Sequence, residues 1–175
     1  MDTLLVLTAT GTDRPGLVDT LSEHIAASGC EVDESRMSIL GSEFAMIMLI
    51  TGNWSGLAKL ESMAPRLEEQ LGLRIRIDRT QQRQRNGPFI PYAVEVVTVN
   101  RPGVVNEVAH FFAQRKINIE DVFTGTYPAP HTGTKMFSLH LTVAVPGDLS
   151  LANLRGEFMD FCDDLNLDAV LAPVK

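Results

Sequence analysis

Cysteine is scarce in this chain: two in 175 residues, Cys30 and Cys162, with no C-x-x-C spacing. That leaves no disulfide framework and no thiolate cluster for a metal, and the two are expected to be reduced core thiols. Long apolar runs are missing too. None approaches the roughly 18 residues of a membrane span, and the N-terminus has no basic region leading into an apolar one, so a cytoplasmic location is expected. A basic surplus is also absent, with 15 Lys and Arg against 22 Asp and Glu, a net charge of −7 and a pI near 5.0. A dedicated nucleic-acid binder usually advertises a basic surface, so any link to DNA should pass through another protein. Catalytic signatures are lacking as well: no phosphate-binding Gly-x-x-x-x-Gly-Lys loop, no dinucleotide fingerprint, no His-Glu-x-x-His and no Gly-x-Ser-x-Gly elbow. His24, His110, His131 and His140 are scattered without ligand spacing. The expectation is a protein without enzymatic activity, metal or cofactor.

What the chain does have is one short stretch used twice. Asp13-Arg14-Pro15-Gly16-Leu17-Val18-Asp19 returns as Asn100-Arg101-Pro102-Gly103-Val104-Val105-Asn106. Each copy follows a β-like apolar run and opens an amphipathic helical run. Proline suits the first helical position, where its missing N–H costs nothing, and Asp13 or Asn100 is a plausible cap. Gly16 and Gly103 expose backbone to which a small molecule could come close. The start of a helix also carries unpaired N–H groups and the positive end of the macrodipole, which suits the carboxylate of an amino acid.

The surrounding pattern repeats with it. Leu4 to Ala9 is a continuous apolar run, expected to be a buried strand. Leu17, Val18, Leu21 and Ile25 mark a helix face ending near Gly29. Cys30 to Leu40 suggests a strand with one irregularity in its alternation, and Gly41-Ser42 a two-residue hairpin turn into Phe44 to Thr51. Leu57, Leu60, Ala64, Leu67 and Leu71 mark a second helix, which Pro65 is expected to kink, before a half-exposed strand at Leu73, Ile75 and Ile77. The order is β-α-β-β-α-β.

A shift of 87 residues lays Val32 on Ile119 and Asp33-Glu34 on Glu120-Asp121; later the shift grows to 94, the extra residues falling at a longer second hairpin, Thr126 to Gly133. A repeat of this kind predicts a duplicated ferredoxin-like unit of the α+β class, antiparallel sheets with helices on one face. The expected division is 1–79, a linker 80–91 and 92–175. Arg79, Arg83 and Arg85 make that connection either a plain solvated linker or a docking strip for an acidic partner surface.

The first turn and the start of the second strand are expected at one end of each sheet. Asp13, Arg14, Pro15, Gly16 and Leu17 would then approach Glu31, and Asn100, Arg101, Pro102, Gly103 and Val104 would approach Asn118 and Ile119. An amino acid could set its carboxylate on the helix-start amides and its ammonium against Asp13, a carbonyl or the Asn118 amide oxygen.

These residues resemble the ACT domains, small β-α-β-β-α-β modules that bind amino acids and regulate the proteins carrying them. The Arg-Pro-Gly turns are similar to the family's opening, and Ile117-Asn118-Ile119 to the Asn-Ile step at its second strand, where the first copy carries Glu31 instead. Along nearly the whole chain the likeness is to the free-standing tandem ACT pairs that repress the glycine cleavage genes. Its most specific piece runs from Asp33 to Phe44 and on through Met46 to Leu49 and Gly52-Asn53-Trp54. The resemblance implies a repressor that binds a transcriptional activator protein of the glycine cleavage genes, with glycine as effector and the possibility of a homodimer. The alternative it leaves open is an ACT-type ligand-binding or oligomerisation module that regulates another partner or enzyme.

Overall fold

The computed structural model describes residues 4–83 and 87–174. The chain divides into two compact units, the boundary falling between β4 and β5. In the first, the elements are β1 (Leu4–Thr12), α1 (Leu17–Ala27), β2 (Cys30–Leu40), β3 (Glu43–Gly52), α2 (Trp54–Leu71) and β4 (Arg74–Thr80). The second repeats them as β5 (Phe89–Val99), α3 (Val104–Gln114), β6 (Asn118–Pro128), β7 (Lys135–Pro146), α4 (Leu151–Asp164) and β8 (Asp168–Pro173). The sheets have the orders β2-β3-β1-β4 and β6-β7-β5-β8, with neighbouring strands antiparallel. The duplicated β-α-β-β-α-β architecture is therefore the one expected from the repeat.

Alternation in the strands builds one buried face per sheet. Leu5, Leu7 and Ala9 of β1 and Phe44, Met46, Met48 and Ile50 of β3 join Leu17, Leu21, Ile25, Leu57, Leu60 and Leu67 from the helices. In the second unit Val94, Val96, Leu139, Leu141 and Val143 meet Val108, Phe111, Phe112, Leu154 and Phe158. The expected irregularity in β2 is a bulge between Val32 and Glu34, and β6 carries its counterpart between Ile119 and Asp121. Each bulge adds one residue to an edge strand, which bends the edge.

Local chemistry explains the helix ends. The Asn53 side chain accepts the Gly56 N–H at 2.8 Å and caps α2, and Gly72 closes it in the left-handed region at φ 66°. Pro65 lies inside α2, which runs unbroken from Trp54 to Leu71.

The elements reach further than the sequence pattern suggested. β4 continues to Thr80 and β5 starts at Phe89, so both enter the stretch expected to be linker. Arg79 belongs to β4 and pairs in register with Leu5; its Nε and Nη2 donate to the two carboxylate oxygens of Glu61 on α2 at 2.9 and 2.8 Å. It is thus a structural cation of the first unit. Arg83 lies beyond β4, and Arg85 falls outside the described residues.

Cys30 and Cys162 are free and buried, one in each core. Burial raises both thiols, Cys162 to about 11 with a smaller push from the Asp163 charge, while Lys59 partly offsets the rise at Cys30. Both should therefore resist iodoacetamide at pH 8 in the folded protein and react once it is unfolded. Mass spectrometry of the labelled chain checks this, and rapid labelling of either in native buffer would contradict it.

Candidate functional site

The two Arg-Pro-Gly turns join β1 to α1 and β5 to α3, and they share one geometry. Gly16 and Gly103 are the residues preceding each helix, left-handed at φ 92° and 93°, and no side chain caps either helix. The capping role expected for Asp13 and Asn100 is thus corrected. Pro15 and Pro102 likewise precede the glycine and lie outside the helix, because the Pro-Gly pair completes a turn before Leu17 and Val104 begin it. Only a residue tolerant of positive φ fits the position, which is why both copies use glycine. A Cβ at Gly16 would meet nothing within 4 Å, so open space lies in front of that backbone. The first amides of α1 and α3 have no acceptor inside their helices.

The backbone amides of Asp13 and Asn100 are tied to the neighbouring hairpins. Asp13 N–H donates to Ser42 O and Asn100 N–H to Lys135 O, each at 2.9 Å. This places the turns beside the β2–β3 and β6–β7 hairpins, and it overturns the expectation that they approach the starts of β2 and β6. Cys30 is opposite Gly52, ten residues along β3 from Ser42, and Asn118 is opposite Ala144, nine along β7 from Lys135. At about 3.3 Å per residue the separation is about 30 Å in each unit. The physical reason is direction: β1 and β2 both pair antiparallel with β3, so they run parallel and the end of one lies far from the start of the other. Hence Asp13, Arg14, Pro15, Gly16 and Leu17 sit together, and Glu31 sits at the opposite end; Asn100 to Val104 sit together, and Asn118 and Ile119 sit opposite. Asn118 is exposed and its Nδ2–H donates to Ile119 O at 3.1 Å.

The two arginines behave differently. Arg14 Nη2 donates to the carbonyls of Gln70 (3.4 Å) and Leu71 (3.1 Å), capping the C-terminal end of α2. Arg101 instead grips Glu107 on α3, donating Nη1 to Oε1 at 2.9 Å and Nη2 to Oε2 at 2.7 Å. The difference is legible in the repeat, since Thr20 stands where the second copy has Glu107. The hydrogen bonds from Arg101 hold the Glu107 carboxyl below its ordinary value of 4.5. Because the folded value is the lower one, this pair stabilises the fold fully above about pH 4.5 and progressively less as pH falls through the lowered folded value. A Glu107→Gln variant should therefore show a shallower loss of stability below pH 4.5 than the wild type. Urea titrations at pH 3.5 and 7 check this, and identical pH profiles would remove the pair from the acid response.

Among the described residues no three His, Cys, Asp or Glu side chains come together as a metal site, and no helix is long and apolar enough to cross a membrane.

Comparison with known proteins settles the family. Residues 3–78 match the ACT domain model, and residues 94–150 match that of the AHAS small subunit-like ACT domain. The chain is 33% identical over 164 residues to the glycine cleavage system transcriptional repressor of Escherichia coli K12, spanning 93% of this chain and 85% of the relative, and equally so to that of Shigella flexneri. This is a tandem ACT-domain protein of the glycine cleavage repressor family. A crystal structure for which the same repressor function is proposed superposes with a TM-score of 0.74 at 28% identity, covering 100% of this chain and 99% of that one. A Galdieria sulphuraria protein of unknown function superposes with a TM-score of 0.80 at 26% identity over both full chains. The tandem ACT architecture is thus shared over the whole length, and the chain is a regulatory protein built from two ACT domains.

Proposed function

We propose that this chain is a cytoplasmic, non-enzymatic sensor that binds glycine and represses the glycine cleavage genes through contact with their transcriptional activator. The observation that carries this reading is the 33% identity spread over 93% of the chain, both ACT domains included, to a protein named as that repressor. The acidic balance fits action through a protein rather than on DNA. Glycine would act by binding one state of the repressor better than another, since equal affinity shifts nothing.

The geometry supports a site shared between two domains. Turn residues and strand-start residues about 30 Å apart in one domain can meet one ligand only if two domains supply them. Antiparallel pairing of the β6 edge with β6 of a second copy would do so, because it sets the start of one strand beside the end of the other, where the Asn100 to Val104 turn lies. The reading is therefore a homodimer whose sites combine Asn100, Arg101, Pro102, Gly103 and Val104 of one copy with Asn118 and Ile119 of the other. The analogous pairing for the first domain would combine Asp13, Arg14, Pro15, Gly16 and Leu17 with Glu31.

The test is thermal unfolding of the purified protein against all twenty amino acids at millimolar concentration. At about 100 times its dissociation constant a ligand adds roughly 2.7 kcal/mol, several degrees for a chain of this size. Glycine alone should produce the shift, and glycine should also change binding to the activator in a pull-down. A second reading is favoured by the match of residues 94–150 to the AHAS small subunit-like model: an ACT module that regulates another partner or enzyme. A shift with a different amino acid would favour it, and no shift with any of the twenty would remove the sensor reading.

A further inference from the structure

The two turns share a backbone conformation and differ in charge at several flanking positions. The first is framed by Asp13 and Asp19, the second by Asn100 and Asn106, all four exposed. Near the first, the only arginine of the turn is engaged with the last carbonyls of α2, and the residue whose carbonyl receives the Asp13 amide is the neutral Ser42. Near the second, the acid Glu107 is matched by Arg101 in a bidentate pair, and the residue whose carbonyl receives the Asn100 amide is Lys135. Alternation along β7 sets Lys135 on the same face as Phe137 and Leu139, the face that α3 covers, at the end where α3 begins. Lys135 is exposed.

Electrostatics then separates the sites. A carboxylate within the first turn of a helix already occupies the favourable place for negative charge; Asp19 does so unpaired by the turn's arginine at α1, with Asp13 three residues before Gly16, whereas the first-turn acid of α3, Glu107, is paired by Arg101. An incoming carboxylate would meet two like charges there. At α3 the positions that match those two aspartates hold the carboxamides Asn100 and Asn106, which do not repel an anion, and Lys135 lies across from Asn100 at the same end of the sheet.

We propose, resting on the amino-acid-sensing reading above, that the second ACT domain alone carries the effector site and that Lys135 is the residue that selects the effector's carboxylate. The first turn is a structural joint, its arginine holding α2. Effector regulation thus belongs to one repeat, and the duplication has freed the other from ligand duty.

Isothermal titration of the full chain with glycine tests this. Wild type should bind one glycine per chain, more weakly as salt rises. Lys135→Met and the Asn100→Asp/Asn106→Asp pair should each weaken binding about tenfold or more, while Lys135→Arg should stay within a few-fold of wild type, as expected for a carboxylate contact that keeps its charge. Glycinamide, which lacks the carboxylate, should bind wild type poorly and be indifferent to Lys135→Met. Two glycines per chain, or Lys135→Met binding like wild type, would overturn the inference while leaving the sensor reading in place. Absence of glycine binding to wild type would overturn both. Lys135 and the two asparagines are surface residues, so circular dichroism should show all variants folded.

Discussion

Phe158→Ala should lower the unfolding temperature of the second ACT domain by some 15–30 °C and leave the first domain's core protected. Phe158 on α4 is fully buried, with ring centroids 5.2 Å from Phe111, 5.4 Å from Phe112 and 6.3 Å from Phe161. These aromatics, with Arg115 lying 3.6 Å over the Phe111 ring, are the contact between α3 and α4 on one side of the sheet. Truncating a buried Phe to Ala costs about 3–5 kcal/mol through lost transfer energy and the cavity left behind. In a domain of this size each kcal/mol is about 4–8 °C. The first core, built on Leu5, Leu7, Phe44, Met48, Leu57 and Leu60, has no such aromatic cluster and no residue in common with the second. Hydrogen exchange read by mass spectrometry separates the two: amides of β5, β6, β7 and β8 should lose protection in the variant while those of β1, β3 and β4 keep it. Phe158→Leu, which conserves much of the volume, should cost about 1 kcal/mol. Equal loss in both sheets would show that the cores are not energetically distinct.

The fold was legible because its signals are local. Hydrophobic alternation, the Pro-Gly turns and Gly41-Ser42 each dictate a short piece, and the repeat, confirmed twice over by the family models, orders the pieces. The bulge after Val32 was visible as a break in alternation. The residues of the candidate site could be named from the repeat, but their placement could not. Nothing local reports that Asp13 and Glu31 sit at opposite ends of a sheet; that follows from β1 and β2 both pairing with β3, a fact of topology. The misplaced cap has a different origin. Asp13 in front of Arg-Pro-Gly has the chemistry of an N-cap, but the left-handed Gly16 takes the N-cap position itself and leaves Asp13 three residues upstream, where its amide closes onto Ser42. Arg14 and Arg101 occupy matching positions and find different partners, since an arginine's long side chain takes whichever acceptor the tertiary structure brings within reach. The Thr20 and Glu107 difference was the one clue in the sequence.

The sharpest consequence of that topology concerns mixed dimers. If the effector site joins the turn of one copy to the start of β6 in another, a chain carrying Asn100→Asp/Asn106→Asp and a chain carrying Asn118→Ala should each bind glycine about tenfold or more weakly alone and should recover sites of wild-type affinity when unfolded and refolded together. In a two-fold dimer each copy supplies one half of each site. A mixed dimer therefore has one site with both halves native, the turn from the Asn118→Ala chain and the strand start from the other, and one site with both halves altered. Random pairing makes half the dimers mixed, and each has one intact site of two, so about a quarter of the wild-type glycine capacity should return. Titration of the co-refolded sample measures the capacity directly, and the same variants mixed without unfolding are the control. The affinity of the recovered sites should equal that of wild type, because nothing in them is changed. Binding only at the weakened affinity of the separate variants would mean that the halves are not supplied in trans. No recovery at all would place every binding residue within one chain, and the Asn118 half of the site would then have to be withdrawn from the turn it is proposed to complete.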